Sequence, residues 1–203
     1  MNIARILYPV KVLGPGNRIG IWVCGCPRRC RGCSNPELWE QRPKYEITVQ
    51  ELKDVIGSIV STHKVDGFTI SGGEPMAQSQ ALAELIKYLK TVSADILVYT
   101  GYRYEALYKQ KSDYIDDILS SVAVLIDGQY IEELNTNIVL RGSENQNIVI
   151  LNSEYKANYE NYLETVHNQI QNFTTADGVV SVGIHHRGFS KALLTRIMDS
   201  GEV

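Results

Sequence analysis

No stretch of this 203-residue chain stays apolar for the length of a membrane span. Internal repeats and low-complexity linkers are missing too, which excludes solenoid and array architectures. There is no surplus of basic charge: 20 Lys and Arg stand against 23 Asp and Glu, a formal net charge of −3. With no dominant basic tract, a general nucleic-acid binder is not expected. No signal peptide opens the chain, since Met1-Asn-Ile-Ala-Arg5 leads straight into apolar strand sequence. Disulfides are therefore not expected, and the protein reads as cytoplasmic and reduced. A hydrophobic content of 44% is enough to bury one core, so residues 1–203 are expected to form one domain.

The cysteines are few but grouped. All four fall within ten residues, and three form the run Cys26-Pro-Arg-Arg-Cys30-Arg-Gly-Cys33. Thiolates are the usual protein ligands of iron–sulfur clusters, and a four-iron cubane normally takes four. Three leave one iron open to a small molecule bringing its own nitrogen and oxygen donors. If Cys24 is counted, four thiolates could instead close a tetrahedral zinc site. Cys24, however, lies in or at the end of the apolar run Arg18–Cys24, where a strand fixes its direction and it reads as a small core residue. Arg28, Arg29 and Arg31 crowd the loop, either to balance an anionic cluster or as solvated charges.

Apolar β-branched runs alternate with helical spacing along the chain. Strands are expected at Ile19–Cys24, Gly67–Ser71, Ile96–Thr100, Val122–Asp127, Ile138–Leu140, Ile148–Leu151 and Val179–Ile184. Helices are expected at Thr48–Thr62, Met76–Thr91, Tyr104–Gln110, Ser112–Ser120, Glu154–Phe173 and Ser190–Met198. Alternation implies an α/β fold with a parallel sheet. About six strands are too few for an eight-stranded barrel, so a partial parallel β/α barrel, open along one side, is expected. In such folds the chemistry gathers at the carboxyl ends of the strands.

Ser71-Gly-Gly-Glu-Pro75 sits at one such end. On its own it is a turn in which Pro75 starts a helix. Placed after the cysteine run, it resembles the Gly-Gly-Glu-Pro element of the radical S-adenosylmethionine (SAM) enzymes, as the cysteine spacing resembles theirs. The stretches Gly14–Arg18, Gly25–Pro27, Cys33–Trp39, Tyr99–Glu105, Leu125–Gly128 and Arg141–Gln146 are similar to elements of the glycyl-radical-enzyme activases, above all those of anaerobic ribonucleotide reductase. The similarity runs in patches from about residue 5 to residue 151 and weakens from Asn152 onward. Gln129-Tyr130 departs from the proline and phenylalanine usual in these activators, and Gly14 stands where many activases are acidic.

The resemblance implies a fold of the radical SAM type with a cluster loop over residues 24–39. A [4Fe–4S] cluster would be held by Cys26, Cys30 and Cys33, with SAM on the open iron, and Gly72, Gly73, Glu74 and Pro75 would meet the SAM amino group. Thr100 and Gly101 would line the adenosine side. Asp127, at a buried strand end, needs a cation, the SAM ribose or backbone amides, or else caps the turn with Gly128. Arg141, Asn145 and Gln146 suit SAM or a partner loop, or simply organise their own loop. An electron from flavodoxin or ferredoxin would release a 5′-deoxyadenosyl radical, which takes a hydrogen atom from a glycine in the large reductase subunit.

Two alternatives remain on sequence grounds. One is a radical SAM enzyme acting on another glycyl radical enzyme or a peptide; the other is a non-catalytic iron–sulfur or zinc module. Tyr155, Tyr159, Tyr162, Val166, Ile170 and Phe173 recur at helical spacing as a core-facing stripe. Of His185 and His186, neighbours on a strand end, at most one can face a pocket, and neither is assigned as a ligand.

Overall fold

A computed structural model describes residues 1–176 and 178–189. Six strands form one sheet in chain order: β1 (Ile3–Val10), β2 (Arg18–Val23), β3 (Gly67–Gly72), β4 (Ile96–Tyr99), β5 (Val124–Asp127) and β6 (Asn147–Ile150). β2 to β5 are parallel, joined by helices as parallel neighbours require. These are α1 (Val49–Thr62), α2 (Ser79–Leu89) and the pair α3 (Tyr104–Tyr108) and α4 (Asp113–Leu119). The edge strands β1 and β6 run antiparallel to their neighbours. After β6 come α5 (Lys156–Thr165) and a separate hairpin of β7 (Gln171–Thr175) and β8 (Gly178–Val182).

The expected α/β fold is present as an open six-strand sheet, but the sheet is mostly rather than wholly parallel and its membership differs. β1 joins the sheet, and the strand expected over Val179–Ile184 belongs to the hairpin instead. Ile138–Leu140 is not a strand, because Asn137 and Leu140 both sit near φ 61°, which breaks an extended run. The helix expected over Glu154–Phe173 ends at Thr165, where Val166 turns extended and closes it. Ile170 and Phe173 matched the helical period only by spacing, and Phe173 pairs with Val180 in the hairpin. The helix expected at Ser190–Met198 lies outside the described residues.

Two-residue alternation sorts the sheet's side chains onto two covered faces. On one face Ile19, Ile21, Val23, Phe68, Ile70, Ile96, Val98 and Leu125 pack on Leu52 and Ile56 of α1, Leu82, Leu85 and Ile86 of α2 and Ile115 and Ile118 of α4. The start of α1 is set by a reciprocal pair: the Thr48 hydroxyl accepts the Glu51 N–H while the Glu51 carboxylate accepts the Thr48 N–H. The opposite face is covered by the C-terminal segment. Leu97, Val124 and Ile126 meet Tyr159 and Tyr162 of α5. Trp22 and Cys24 cluster with Leu38 and Val182 of β8.

The amino ends of the strands close around one ion pair. Arg18, wholly buried at the start of β2, donates to the Asp95 carboxylate (2.8 Å), the Thr69 hydroxyl (2.7 Å) and the Pro15 carbonyl (3.0 Å). Tyr159 donates to the same carboxylate from α5 at 2.7 Å. Every charge here has a partner, as burial demands.

Candidate metal and cofactor site

The carboxyl ends of β2, β3 and β4 open into a cleft lined by Cys26, Cys30, Cys33, Gly72, Gly73, Glu74, Thr100 and Gly101. The cysteine loop leaves β2 and is pinched at its base, where Gly25 N–H donates to Leu38 and Cys26 N–H to Trp39 (2.9 and 2.8 Å). The Cys33 N–H turns back onto the Cys30 carbonyl (3.2 Å). The three cysteines are half-buried, whereas Cys24 is fully buried in the apolar cluster of Val10, Trp22 and Leu38. Cys24 does not line the cleft. Among the described residues no three Cys, His, Asp or Glu side chains converge on one ion. With Cys24 turned into the core, three cysteines rather than four line the cleft, a set that a four-iron cluster with one open corner would accept.

Burial pushes the Cys26 and Cys33 thiols up, and backbone N–H groups oppose it: those of Arg28 and Arg29 at Cys26, that of Asn35 at Cys33. The Asn35 amide lies 3.4 Å from the Cys33 sulfur. Amides aimed at sulfur suit an anionic cluster. So do two buried donors on residues lining the cleft that have no protein partner, Arg28 Nε and Trp39 Nε1; the His185 Nε2, donor or acceptor by tautomer, is likewise without one. The Trp39 indole is near enough to favour the Cys33 thiolate without a contact of hydrogen-bond geometry. The three loop arginines divide. Arg29 pairs with Glu40 and Arg31 with Glu132 and Glu133 at the surface. Only Arg28 turns to the cleft, with its guanidinium 4.0 Å over the Tyr102 ring.

The Gly-Gly-Glu-Pro turn is fixed mainly by protein contacts. A Cβ on Gly72, at φ 107°, would lie 2.5 Å from the Val23 carbonyl, and one on Gly73 2.5 Å from the Gly25 carbonyl. The N–H groups of Gly73 and Glu74 are spent on those same two carbonyls (2.7 and 2.8 Å). The glycines therefore let the ends of β2 and β3 touch, and with the Gly73 and Glu74 amides engaged it is the carbonyl side of the turn that suits a ligand's donors. Glu74, 1% exposed, accepts from Thr100 Oγ1 (2.8 Å), Met76 N–H (3.0 Å) and Gly101 N–H (2.8 Å). Burial pushes its carboxyl up against these bonds and the nearby Arg28. Pro75 is buried at the first position of a short 3-10 turn.

The remaining expected residues divide between cleft and support. Asp127 is buried, lies outside the cleft lining, and accepts from Arg103 (3.1 Å), the Tyr104 N–H (2.8 Å) and both the N–H and the side-chain amide of Asn147 (3.2 and 3.0 Å). Arg141 donates to the Gln146 carbonyl and Asn145 to the Gln129 carbonyl, and neither lines the cleft. Gln146 does, and its amide ties Gly142, Ser143 and Gly128 together. His185 lines the cleft and His186 does not. Tyr99, Tyr130 and Gly142 also line it. Tyr130 and Gly142 stood next to expected residues, but nothing in the sequence pointed to Asn135, whose amide joins Tyr130 to His185.

The family description that matches residues 12–149 is that of a 4Fe–4S single cluster domain. The chain is also 35% identical over 153 residues to the anaerobic ribonucleoside-triphosphate reductase-activating protein of Enterobacteria phage T4, covering 73% of this chain and 93% of that one. Proteins of the same name from Vibrio cholerae and Escherichia coli K12 are 36% and 31% identical over 147 residues, 68% of this chain and 92% of each relative. This chain belongs to the family of anaerobic ribonucleoside-triphosphate reductase-activating proteins. The 4Fe–4S domain match takes in the cysteine loop and β2 to β5 and ends within β6. The relatives are nearly used up while about a quarter or more of this chain is left over. α5 and the β7–β8 hairpin lie beyond the described family segment.

Proposed function

We propose that this chain is a radical SAM activase that installs a glycyl radical on the large subunit of an anaerobic ribonucleotide reductase. The observation that carries this reading is the meeting of three half-buried cysteines and the Gly-Gly-Glu-Pro turn in one cleft, within a 4Fe–4S activating-protein sequence. The open sheet would then be the partial barrel of the radical SAM type, in one domain over residues 1–203. With a reduced [4Fe–4S] cluster held by Cys26, Cys30 and Cys33, the site would supply one-electron reductive cleavage of SAM, the chemistry needed to take a hydrogen atom from a glycine of the partner.

The chain's own residues bind and enclose. Cys26, Cys30 and Cys33 would hold three corners of the cluster, their charge eased by the amides of Arg28, Arg29 and Asn35. The unspent carbonyl side of Gly72-Gly73 would accept from the SAM amino group, which carries only donors. Arg28, with a free buried Nε, suits the carboxylate. Glu74, buried and accepting from both Thr100 and Gly101, would position these residues along the adenosine side. Asp127, Arg141 and Asn145 would act through the loops they brace. A cytoplasmic flavodoxin or ferredoxin would supply the electron.

The test is anaerobic reconstitution with iron and sulfide, reduction, and addition of SAM, with 5′-deoxyadenosine measured for wild type and Cys30→Ala. Deoxyadenosine from the wild type alone, and a glycyl radical signal when the reductase is added, are expected. A verified, reducible cluster that yields neither would leave a structural metal module as the better account.

A further inference from the structure

Residues beyond the family segment return to the cleft. Ser181 to His185, at and just past the end of β8, line it together with the three cysteines. His185 is held there from two sides. Its ring stacks on Phe189 with centroids 4.3 Å apart and planes at 15°, and its carbonyl accepts from the Asn135 side-chain amide at 2.9 Å. The same amide donates to the Tyr130 hydroxyl at 3.1 Å, and its oxygen accepts the Asn137 N–H at 3.2 Å. All three bonds agree on one orientation of the amide. The turn carrying these residues also reaches the cysteine loop, since Glu132 and Glu133 pair with Arg31 at 3.4 and 3.5 Å.

His185 Nε2 is the unpaid end of this arrangement. It is buried and has no partner, on a residue that lines the cleft, although nearly all buried polar groups in folded proteins have one. Burial also keeps the imidazole neutral, so it can present a donor or an acceptor to an occupant. The hairpin is anchored at its far side as well: the Gln171 amide donates to the Pro9 carbonyl (2.7 Å) and accepts the Lys11 N–H (3.0 Å) of the β1 edge.

We propose that residues 178–189 form a wall of the cleft latched by Asn135, and that this latch makes Asn135 a positioning residue which sets the His185 imidazole to hydrogen-bond the small molecule bound beside the cluster. That the small molecule is SAM rests on the functional reading above. The wall is a feature of the leftover C-terminal segment and not of the matched core.

Two measurements on the anaerobic, cluster-loaded full-length protein test it. The first is tryptic cleavage after Arg187 without SAM, which reads the latch alone. Asn135→Ala should speed it about tenfold, and Tyr130→Phe, which removes one bond of the latch, by less. The second is the dissociation constant of SAM by calorimetry, with cluster absorbance as control. His185→Ala should weaken binding about tenfold, and His185→Gln, which keeps a donor and an acceptor, should restore part of it. Asn135→Ala should weaken binding about threefold in the wild type and add nothing in the His185→Ala background.

An unchanged SAM affinity in His185→Ala, an equal Asn135→Ala effect in both backgrounds, or loss of the cluster from His185→Ala would each overturn the role given to His185. Cleavage after Arg187 that ignores Asn135→Ala would overturn the latch. Wild-type protein that holds its cluster but binds no SAM would instead overturn the functional reading, and with it the ligand named here.

Discussion

The two ends of the same parallel strands are built on opposite terms. At the amino ends, Arg18, Asp95, Thr69 and Tyr159 are satisfied by one another and by neighbouring backbone carbonyls. At the carboxyl ends, Arg28, Trp39 and His185 each keep a buried polar atom without a partner, next to three half-buried cysteines. A buried group left unmatched weakens a fold, so such groups persist where something other than the fold completes them. The difference teaches that stability and function in this chain are separated by one strand length, about 20 Å for six residues.

Substitutions can break this separation or sharpen it. The largest effect is expected at the amino end: Arg18→Ala strands the Asp95 carboxylate and should cost about 3–5 kcal/mol in denaturant unfolding of the metal-free protein. Replacing both partners, Arg18→Met with Asp95→Leu, should recover much of that loss. An intermediate effect is expected from Gly73→Ala, whose methyl would lie 2.5 Å from the Gly25 carbonyl. It should cost about 1–3 kcal/mol and also weaken SAM binding, marking a place where the carboxyl ends carry structural weight as well. The smallest effect on folding belongs to the cluster ligands. Cys30→Ala in the metal-free protein should move stability by about 0.5 kcal/mol or less while abolishing cluster absorbance. Equal losses from Arg18→Ala and Cys30→Ala would erase the contrast.

What the sequence made legible follows the same division. The cysteine run and the Ser71–Pro75 turn could be read because their residue types and spacing are dictated by local chemistry, and the central strands because each is apolar and bounded by turns. The helix α1 could be bounded at Thr48 because its cap is written in two residues three apart. Pairings between distant segments could not be read. β1 was legible as apolar strand sequence but not as a member of the sheet, being half-buried over six consecutive residues without clean alternation, and β7 is a polar run whose strand state depends on β8. Asp127 shows a subtler limit. Its burial at a strand end was legible, but the four donors that surround it come from Arg103, Tyr104 and Asn147, which only the fold brings near. Asn135 bears no signal at all, because its role exists only once residues 130 and 185 have met.

Strand order in the sheet follows chain order from β1 to β6. A chain emerging from the ribosome can therefore lay each strand beside the one just made, with no earlier strand waiting for a distant neighbour. The Gln171 clasp on β1 and the His185 side of the cleft must wait for the last segment to be synthesised. During manufacture, then, the chain owns its cysteines long before it owns the wall beside them, and the pocket is completed only once residues 181–185 have been made.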